Sequence, residues 1–308
     1  GGESAGAFSV TNMLAMSAAD GLFHRAIAQS GAAHHTFDPD DGREIAGSFL
    51  DQLGGPSADD LMSMDVKRIL EAAEKVAEES GQQTGRSQEP FYPVWGHEAL
   101  PDDPRDLIAS GAGSDVALLT GTNEDEMALW GVSGMDTDQA AEMVARIADD
   151  PDALVDVYRR RLGDATPGWV ACAIASDLVF GIPAVRHAEY RSAHGADTWM
   201  YRFSWDSRAF DGLFGAAHAL EIPFTFNTID QAGVDVFLGP GDVPTELAET
   251  MHDAWIAFIR DGDPSTSALG AWPRYSPDDR VVMELDEQCG LLHDPRADER
   301  SAWEGVVR

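Results

Sequence analysis

A serine between glycines stands near the start of the sequence, in the run Gly2-Glu3-Ser4-Ala5-Gly6. This Gly-x-Ser-x-Gly pattern is typical of a sharp turn from a strand into a helix, with the serine held in a strained backbone conformation. Glycines flank the serine because larger side chains would clash where backbone packs against backbone. The turn exposes the hydroxyl at the edge of a sheet, within reach of a histidine. Ser4 is therefore a candidate nucleophile.

An acidic cluster follows the clearest buried strand of the sequence, which we predict over residues 116–121. The cluster holds Glu124, Asp125 and Glu126, and spacing alone does not choose among the three. A carboxylate in this position would orient a catalytic histidine and stabilise its charged form. We take Glu126 as the candidate acid, and a solvated acidic turn is the alternative interpretation.

His218 is the candidate base. It lies in the apolar, small-residue stretch 214–224 of a chain otherwise rich in charge, after a predicted strand at residues 198–205. A lone histidine in such a stretch is often a core residue, which is the alternative here. The order serine, acid, histidine, each after a strand, is nevertheless that of the α/β-hydrolase arrangement.

The remaining histidines are weaker candidates for chemistry. His34 and His35 stand near Asp38, Asp40 and Asp41, which suggests a metal site. The spacing matches neither a calcium-binding loop nor the two-histidine helix motif of zinc proteases, so we expect no metal there.

Alternating strand and helix patterns must position these residues. We predict helices over residues 5–19 and 246–260, helical segments over 38–79 and 136–195, and strands at 26–28, 116–121, 198–205 and 283–285. Residues 80–89 lack apolar side chains and are predicted to form a loop. Such alternation favours an α/β fold with a mostly parallel sheet and helices on both faces.

The composition excludes several functions. Of the 308 residues, 21 are basic and 54 acidic, giving a net charge of −33 that repels nucleic acid and anionic membranes. The sequence contains no run of 18 apolar residues, so we expect no membrane span. Two cysteines, Cys172 and Cys289, form neither a disulfide framework nor a zinc site, which favours a reducing, cytoplasmic location.

Longer segments around the three candidates resemble the type-B carboxylesterase family, close to bacterial para-nitrobenzyl esterases and in the superfamily that includes the cholinesterases. The resemblance is carried by residues 2–6, 9–10, 21–31, 121–126, 218–226, 262–264 and 272–275, together with Trp255 and Phe258. It runs from Gly1 almost to Arg308 and implies an α/β-hydrolase fold in a single domain. Helical insertions are expected at about 32–112 and 136–195.

The resemblance also implies roles for individual residues. Ser4 would be the nucleophile, Glu126 the acid and His218 the base, while Ala5 would give a backbone N–H to the oxyanion hole. Glu3 falls where the family has a carboxylate lining the pocket, and Ser30 and Glu221 fall where it has buried supports for the acid. Met127 departs from the glycine that the family usually has after the acid.

The implied activity is hydrolysis of carboxylic esters through an acyl-enzyme intermediate, without a cofactor. The expected partner is a neutral small-molecule ester. The aromatic residues Phe210, Phe214, Phe224 and Phe226 favour an apolar pocket for it, and the alternative is that each is simply a core residue. The alternative is a non-catalytic interaction domain that kept the fold. The family pattern includes a further stretch before the serine, with other oxyanion donors and central strands. We therefore expect these 308 residues alone to be poorly soluble or inactive.

Overall fold

A computed structural model of the chain describes residues 1–84 and 91–305, and for Ala58 and residues 80–84 it describes the backbone alone. The strands are β1 Gly2–Glu3, β2 Arg25–Gln29, β3 Ala117–Asn123, β4 Thr198–Phe203, β5 Val281–Leu285 and β6 Gly290–His293. The longer helices are α1 Ala5–Met13, α2 Pro39–Gln52, α4 Val66–Thr84, α6 Thr137–Ile147, α7 Pro151–Leu162, α8 Pro167–Ser176, α9 Ile182–Ser192 and α12 Thr245–Asp261. The short helices are α3 Ala58–Ser63, α5 Pro104–Ala109, α10 Ile222–Thr225, α11 Asp235–Leu238 and α13 Ala297–Ala302.

The six strands form one sheet in the order β1-β2-β3-β4-β5-β6. Strands β1 to β5 are parallel, and β6 pairs antiparallel with β5. The mostly parallel α/β sheet predicted from the sequence is confirmed. Parallel pairing places the carboxyl ends of β1, β2, β3 and β4 at one edge, where ligand sites of such sheets form.

Two of the predicted elements have other bounds in the structure. The helix predicted over residues 5–19 ends at Met13, and a separate 3-10 turn covers Ser17–Ala19. The loop predicted over residues 80–89 is wrong for its first half because α4 continues to Thr84. Residues 85–89 lie outside the described part of the chain.

Short polar residues and glycine mark the helix ends. Asp136 and Gln139 form a reciprocal cap at the start of α6, and Thr166 caps α8 through the N–H of Trp169. Gly262, in the left-handed conformation, ends α12. Local sequence therefore determines where these helices begin and end.

The sheet carries a core of large side chains on β3, β4 and β5. Trp199, Tyr201 and Phe203 of β4 are buried, and they pack with α12 through residues such as Met251 and Phe258. A second cluster lies among α6, α7 and α8, around the fully buried Tyr158. Burial of apolar surface of this kind is the main stabilising contribution to a fold.

The chain divides into two compact units, one made of Gly1–Ala33 with Leu107–Arg308 and one of His34–Asp106. The first unit holds the sheet. In the second, α2 packs on α4, and Phe37 contacts Tyr92 with ring centroids 5.2 Å apart. The single domain with insertions at about 32–112 and 136–195 stays a prediction.

Within residues 1–84 and 91–305, one helical stretch, Pro167–Ser192, has the length and composition to cross a membrane. It contains α8 and α9, and 72% of its most apolar window is buried inside the protein, as in a core helix.

Candidate active site

Ser4 occupies the turn between β1 and α1. Its φ of 53° and ψ of −122° lie outside the usual regions for a residue with a side chain. The Ser4 N–H donates to the carbonyl oxygen of Gln29 at 2.9 Å, which fixes the turn to the end of β2. A Cβ on Gly2 would lie 2.3 Å from the backbone of Gly6, so Gly2 is required by close packing. A Cβ on Gly6 would meet nothing within 4 Å. The expectation that close packing requires glycine on both sides of Ser4 is therefore met at Gly2 and not at Gly6.

Ala5 is the first residue of α1. N–H groups in the first turn of a helix have no partner within the helix and favour negative charge. The position of Ala5 therefore suits the donor role that the resemblance implies.

Glu126 and His218 meet in a buried contact. Glu126 Oε2 lies 2.6 Å from His218 Nδ1, and the backbone N–H of His218 donates to the carbonyl oxygen of Glu126 at 3.2 Å. The other carboxylate oxygen, Oε1, accepts from the N–H of Asn123 at 2.8 Å. Both side chains are at least 95% buried, so the pairing is shielded from water.

The two acidic neighbours of Glu126 make other contacts. Glu124 forms ion pairs with Arg161, Arg202 and Arg296. Asp125 Oδ2 accepts from the N–H of Ala216 at 3.1 Å. Among the residues that the structure describes, Glu126 alone of these three contacts the ring of His218.

The second ring nitrogen of His218 faces Glu3. Nε2 lies 3.1 Å from Glu3 Oε1, without the alignment of a hydrogen bond. Ser4 Oγ makes no hydrogen bond within residues 1–84 and 91–305. The structure thus brings Glu3, Glu126 and His218 into contact, with Ser4 next to Glu3 in the chain.

Aromatic side chains flank the imidazole of His218. The ring centroids of Trp130 and Phe180 lie 5.0 Å and 4.9 Å from that of His218. Phe180 belongs to a turn of π-helix, Asp177–Gly181, a feature often found at functional sites. Phe180 is buried and Trp130 is half-exposed, so the latter is the side chain of the two that a ligand could reach.

Comparisons with known proteins show the family of this chain. The sequence profile of the carboxylesterase family matches residues 1–303. This chain belongs to the carboxylesterase family. It is 33% identical over 306 residues to the para-nitrobenzyl esterase of Bacillus subtilis, covering 97% of this chain and 60% of that protein. It is 31% identical over 299 residues to the phenmedipham hydrolase of Pseudarthrobacter oxydans, covering 93% of this chain and 59% of that protein.

Solved structures of other carboxylesterases give the same result. The Geobacillus stearothermophilus carboxylesterase EST55 is similar with a TM-score of 0.81 and 30% identity, over 98% of this chain and 63% of that one. The α/β-hydrolase fold that the resemblance implied is therefore confirmed. The chain spans about 60% of the length of the relatives that it matches.

Burial and charge shift the pKa values of two groups in this carboxylesterase-family site. Burial lowers the pKa of His218, but the charge and hydrogen bond of Glu126, with Glu3 and Glu221, raise it overall to about 9. Burial raises the pKa of Glu3 to about 7 against the opposing charge of His218. The contacts therefore favour the imidazolium form of His218.

Glu221 and Ser30 differ in their contacts. Glu221 is fully buried, and its two oxygens accept from Gln29 Nε2 at 2.9 Å and Asn123 Nδ2 at 2.7 Å. Burial raises the pKa of Glu221, and the charge of Glu126 raises it further. Ser30 is also buried, with φ of 53°, and its Oγ has no hydrogen-bond partner in the described part of the chain. Its supporting role stays a prediction.

Sequence reasoning missed Asn123 and Gln29. Each is the last residue of its strand, β3 and β2, at the edge that carries the site. A polar amide at the end of a buried parallel strand is the signal that could have identified them.

The four phenylalanines do not share one environment: Phe224 is a core residue, as in the alternative interpretation, and a role of the other three in ligand binding stays a prediction. Phe224 is fully buried in the sheet core, with its ring centroid 5.0 Å from that of Phe203. Phe210 and Phe226 are exposed, and Phe214 packs against Phe210 at 4.8 Å.

The residues near His34 and His35 have structural contacts. The two histidine rings lie 4.0 Å apart, and Asp38 caps α2 by accepting from the N–H groups of Asp40 and Asp41. Among the described residues, no group of three or more histidine, cysteine or acidic side chains could hold a metal ion.

Proposed function

We propose that the chain carries the catalytic serine, acid and base of a carboxylic ester hydrolase, with Ser4 as nucleophile, Glu126 as acid and His218 as base. The observation that carries the proposal is the buried 2.6 Å contact between Glu126 and His218 Nδ1, in a chain whose Ser4 has the strained backbone of a nucleophile turn. Family membership supports the same roles.

The reaction would proceed by two acyl transfers. His218 Nε2 takes the proton of Ser4 Oγ as the oxygen attacks the ester carbonyl carbon, and the alcohol leaves with that proton. Water then attacks the acyl-enzyme by the same route and releases the acid. Glu126 holds the tautomer of His218 with the proton on Nδ1, so that Nε2 is free to accept.

The oxyanion would be held by backbone N–H groups, of which Ala5 supplies one. Loss of one such donor typically lowers the rate by about 10²–10³. The 308 residues alone are therefore expected to turn over slowly if other donors come from outside them.

The substrate class is a neutral ester with an apolar group. The half-exposed Trp130 beside His218 supports this class, because a flat apolar group can pack against the indole. The net charge of −33 disfavours nucleic acid and anionic membranes as partners. We infer a cytoplasmic enzyme that acts on a small molecule.

A fluorophosphonate probe tests the proposal, because it reacts with a serine that has an activating base. We expect labelling of Ser4 in the full-length protein, its loss in Ser4→Ala, and no change in Ser17→Ala, whose exposed serine is the matched control. No labelling of Ser4 would favour a non-catalytic member of the family. Ester turnover by the 308 residues at a rate typical of carboxylesterases would contradict the expected low activity.

A further inference from the structure

Asn123 contacts both the acid and the base segments. It is the last residue of β3 and is 3% exposed. Its backbone N–H donates to Glu126 Oε1 at 2.8 Å. Its side-chain Nδ2 donates to the carbonyl oxygen of Ala217, the neighbour of His218, at 2.7 Å and to Glu221 Oε2 at 2.7 Å.

The side-chain amide of Asn123 has a defined orientation. A backbone carbonyl accepts hydrogen bonds and cannot donate, so the amino group must face Ala217. The carbonyl oxygen Oδ1 is then buried without a hydrogen-bond partner among the described residues. An unsatisfied buried acceptor costs about 1–3 kcal/mol, which an apolar residue of similar size would avoid. Packing alone therefore does not account for an asparagine here.

Glu221 is held by a second amide with a fixed orientation. Trp255 Nε1, which can only donate, gives its hydrogen to Gln29 Oε1 at 2.9 Å. Gln29 Nε2 therefore faces Glu221 Oε1, at 2.9 Å. The buried carboxylate thus receives one amide donor on each oxygen, from β2 and from β3. These donors lower its pKa and favour the ionised form, against burial and the charge of Glu126, which raise that pKa.

We propose that Asn123 is a positioning residue that fixes the acid and the base relative to each other and holds Glu221 ionised beside them. The proposal rests on the proposed function for its catalytic meaning. Through Ala217 the side chain holds the segment of His218, and through its backbone it holds the carboxylate of Glu126. Through Glu221 it adds negative charge near the imidazole.

Three carboxylates act on His218: Glu3 on β1, Glu126 after β3 and Glu221 before α10. The negative charges of Glu3, Glu126 and Glu221 raise the pKa of His218. The Tyr201 hydroxyl is fully buried beside the same three carboxylates, which with burial raise its pKa far above its ordinary value, so it stays neutral. Loss of ionised Glu221 therefore lowers the pKa of His218.

An NMR titration of the His218 ring tests the proposal without requiring catalysis. Asn123→Leu removes both side-chain donors and keeps the backbone N–H, so we expect the proton affinity of His218 to fall by about tenfold. Glu221→Gln should give a similar fall. In the double variant, Asn123→Leu should add little to Glu221→Gln, because both remove the same charge.

Asn12→Leu is the matched control. Asn12 on α1 is also 3% exposed, and both its side-chain polar atoms lack a hydrogen-bond partner within the described residues. We expect this variant to leave the titration of His218 unchanged. If Asn123→Leu does not fold by near-ultraviolet circular dichroism, Gln29→Leu removes the other donor to Glu221 and should shift His218 in the same direction.

Two results would overturn the role of Asn123. One is an unchanged pKa of His218 in a folded Asn123→Leu or Gln29→Leu chain. The other is a fall in the double variant equal to the sum of the single ones. The fluorophosphonate reaction of Ser4 is a separate measurement. Its absence in the full-length wild-type protein counts against the proposed function, whereas the titration of His218 tests the role of Asn123.

Discussion

Glu3 Oε1 lies 3.1 Å from Nε2 of His218, on the side of the ring opposite to Glu126. Each nitrogen of this imidazole therefore lies close to one carboxylate. Nε2 is the nitrogen that must accept the proton of Ser4 in the proposed reaction. The two carboxylates favour the imidazolium form. The proton on Nε2 therefore has to leave before His218 can act as a base.

Replacing the Glu3 carboxylate should move the pH profile of the reaction. Its negative charge helps to raise the pKa of His218 to about 9, so in Glu3→Gln that pKa should fall. We expect the rising limb of kcat/KM, or of fluorophosphonate labelling, to shift to lower pH. Glu249→Gln, at an exposed position on α12, is the control. An unshifted limb would contradict the contact between Glu3 and His218.

The free energy of unfolding should decline as the pH rises through the pKa values of Glu3 and His218. The pKa of His218 is about 9 in the folded chain, above its ordinary 6.5. The protonated ring therefore contributes in full to the free energy of unfolding below pH 6.5, and this contribution is lost as the pH rises to 9 and above. The raised pKa of Glu3, about 7 against 4.5, acts in the same direction at lower pH.

Urea unfolding at pH 6 and pH 10 measures this decline. We expect the free energy of unfolding of the wild type to fall more than that of His218→Gln, by roughly 3 kcal/mol. Equal declines in the two proteins would show that folding does not raise the pKa of His218.

Removing the charge of Glu126 should abolish most catalysis while the chain stays folded. Glu126→Gln cannot stabilise the imidazolium or hold its tautomer, and the loss of the corresponding acid in a serine protease lowers kcat by about 10⁴. Glu142→Gln, whose exposed carboxylate pairs with Arg146, is the control. Single-turnover labelling of Ser4 measures the difference. A loss of less than about tenfold would assign the acid role elsewhere.

Arg296 should matter for stability more than for chemistry. Its buried guanidinium forms ion pairs with Glu124 and Asp177. Arg296→Ala leaves both carboxylates buried without that partner, so we expect the free energy of unfolding to fall by about 3–5 kcal/mol.

Arg146→Ala is the comparison for Arg296→Ala. Its pair with Glu142 is exposed on α6, and such pairs contribute less than about 1 kcal/mol. Similar losses in the two variants, measured by urea unfolding, would contradict the importance of the buried pairs.

Local patterns predicted the elements that carry strong signals. Strand β3 was expected from its unbroken apolar run, and α12 from apolar residues at helical spacing before Gly262. Strand β6 was missed because Gly290–His293 is short, half-exposed and antiparallel to β5, so its sequence carries little apolar signal. The end of α1 at Met13 was missed because no proline or glycine marks it.

The sequence by itself determined which residue types stand at the carboxyl ends of the strands and in what order: Ser4 after β1, three acids after β3, and His218 after β4. The tertiary structure decided that Glu126 contacts His218, that Glu3 faces the other ring nitrogen and that Asn123 joins the two segments. Such contacts join residues about 90 or more positions apart, and they depend on the register of parallel strands. Periodicity and spacing describe only neighbours along the chain.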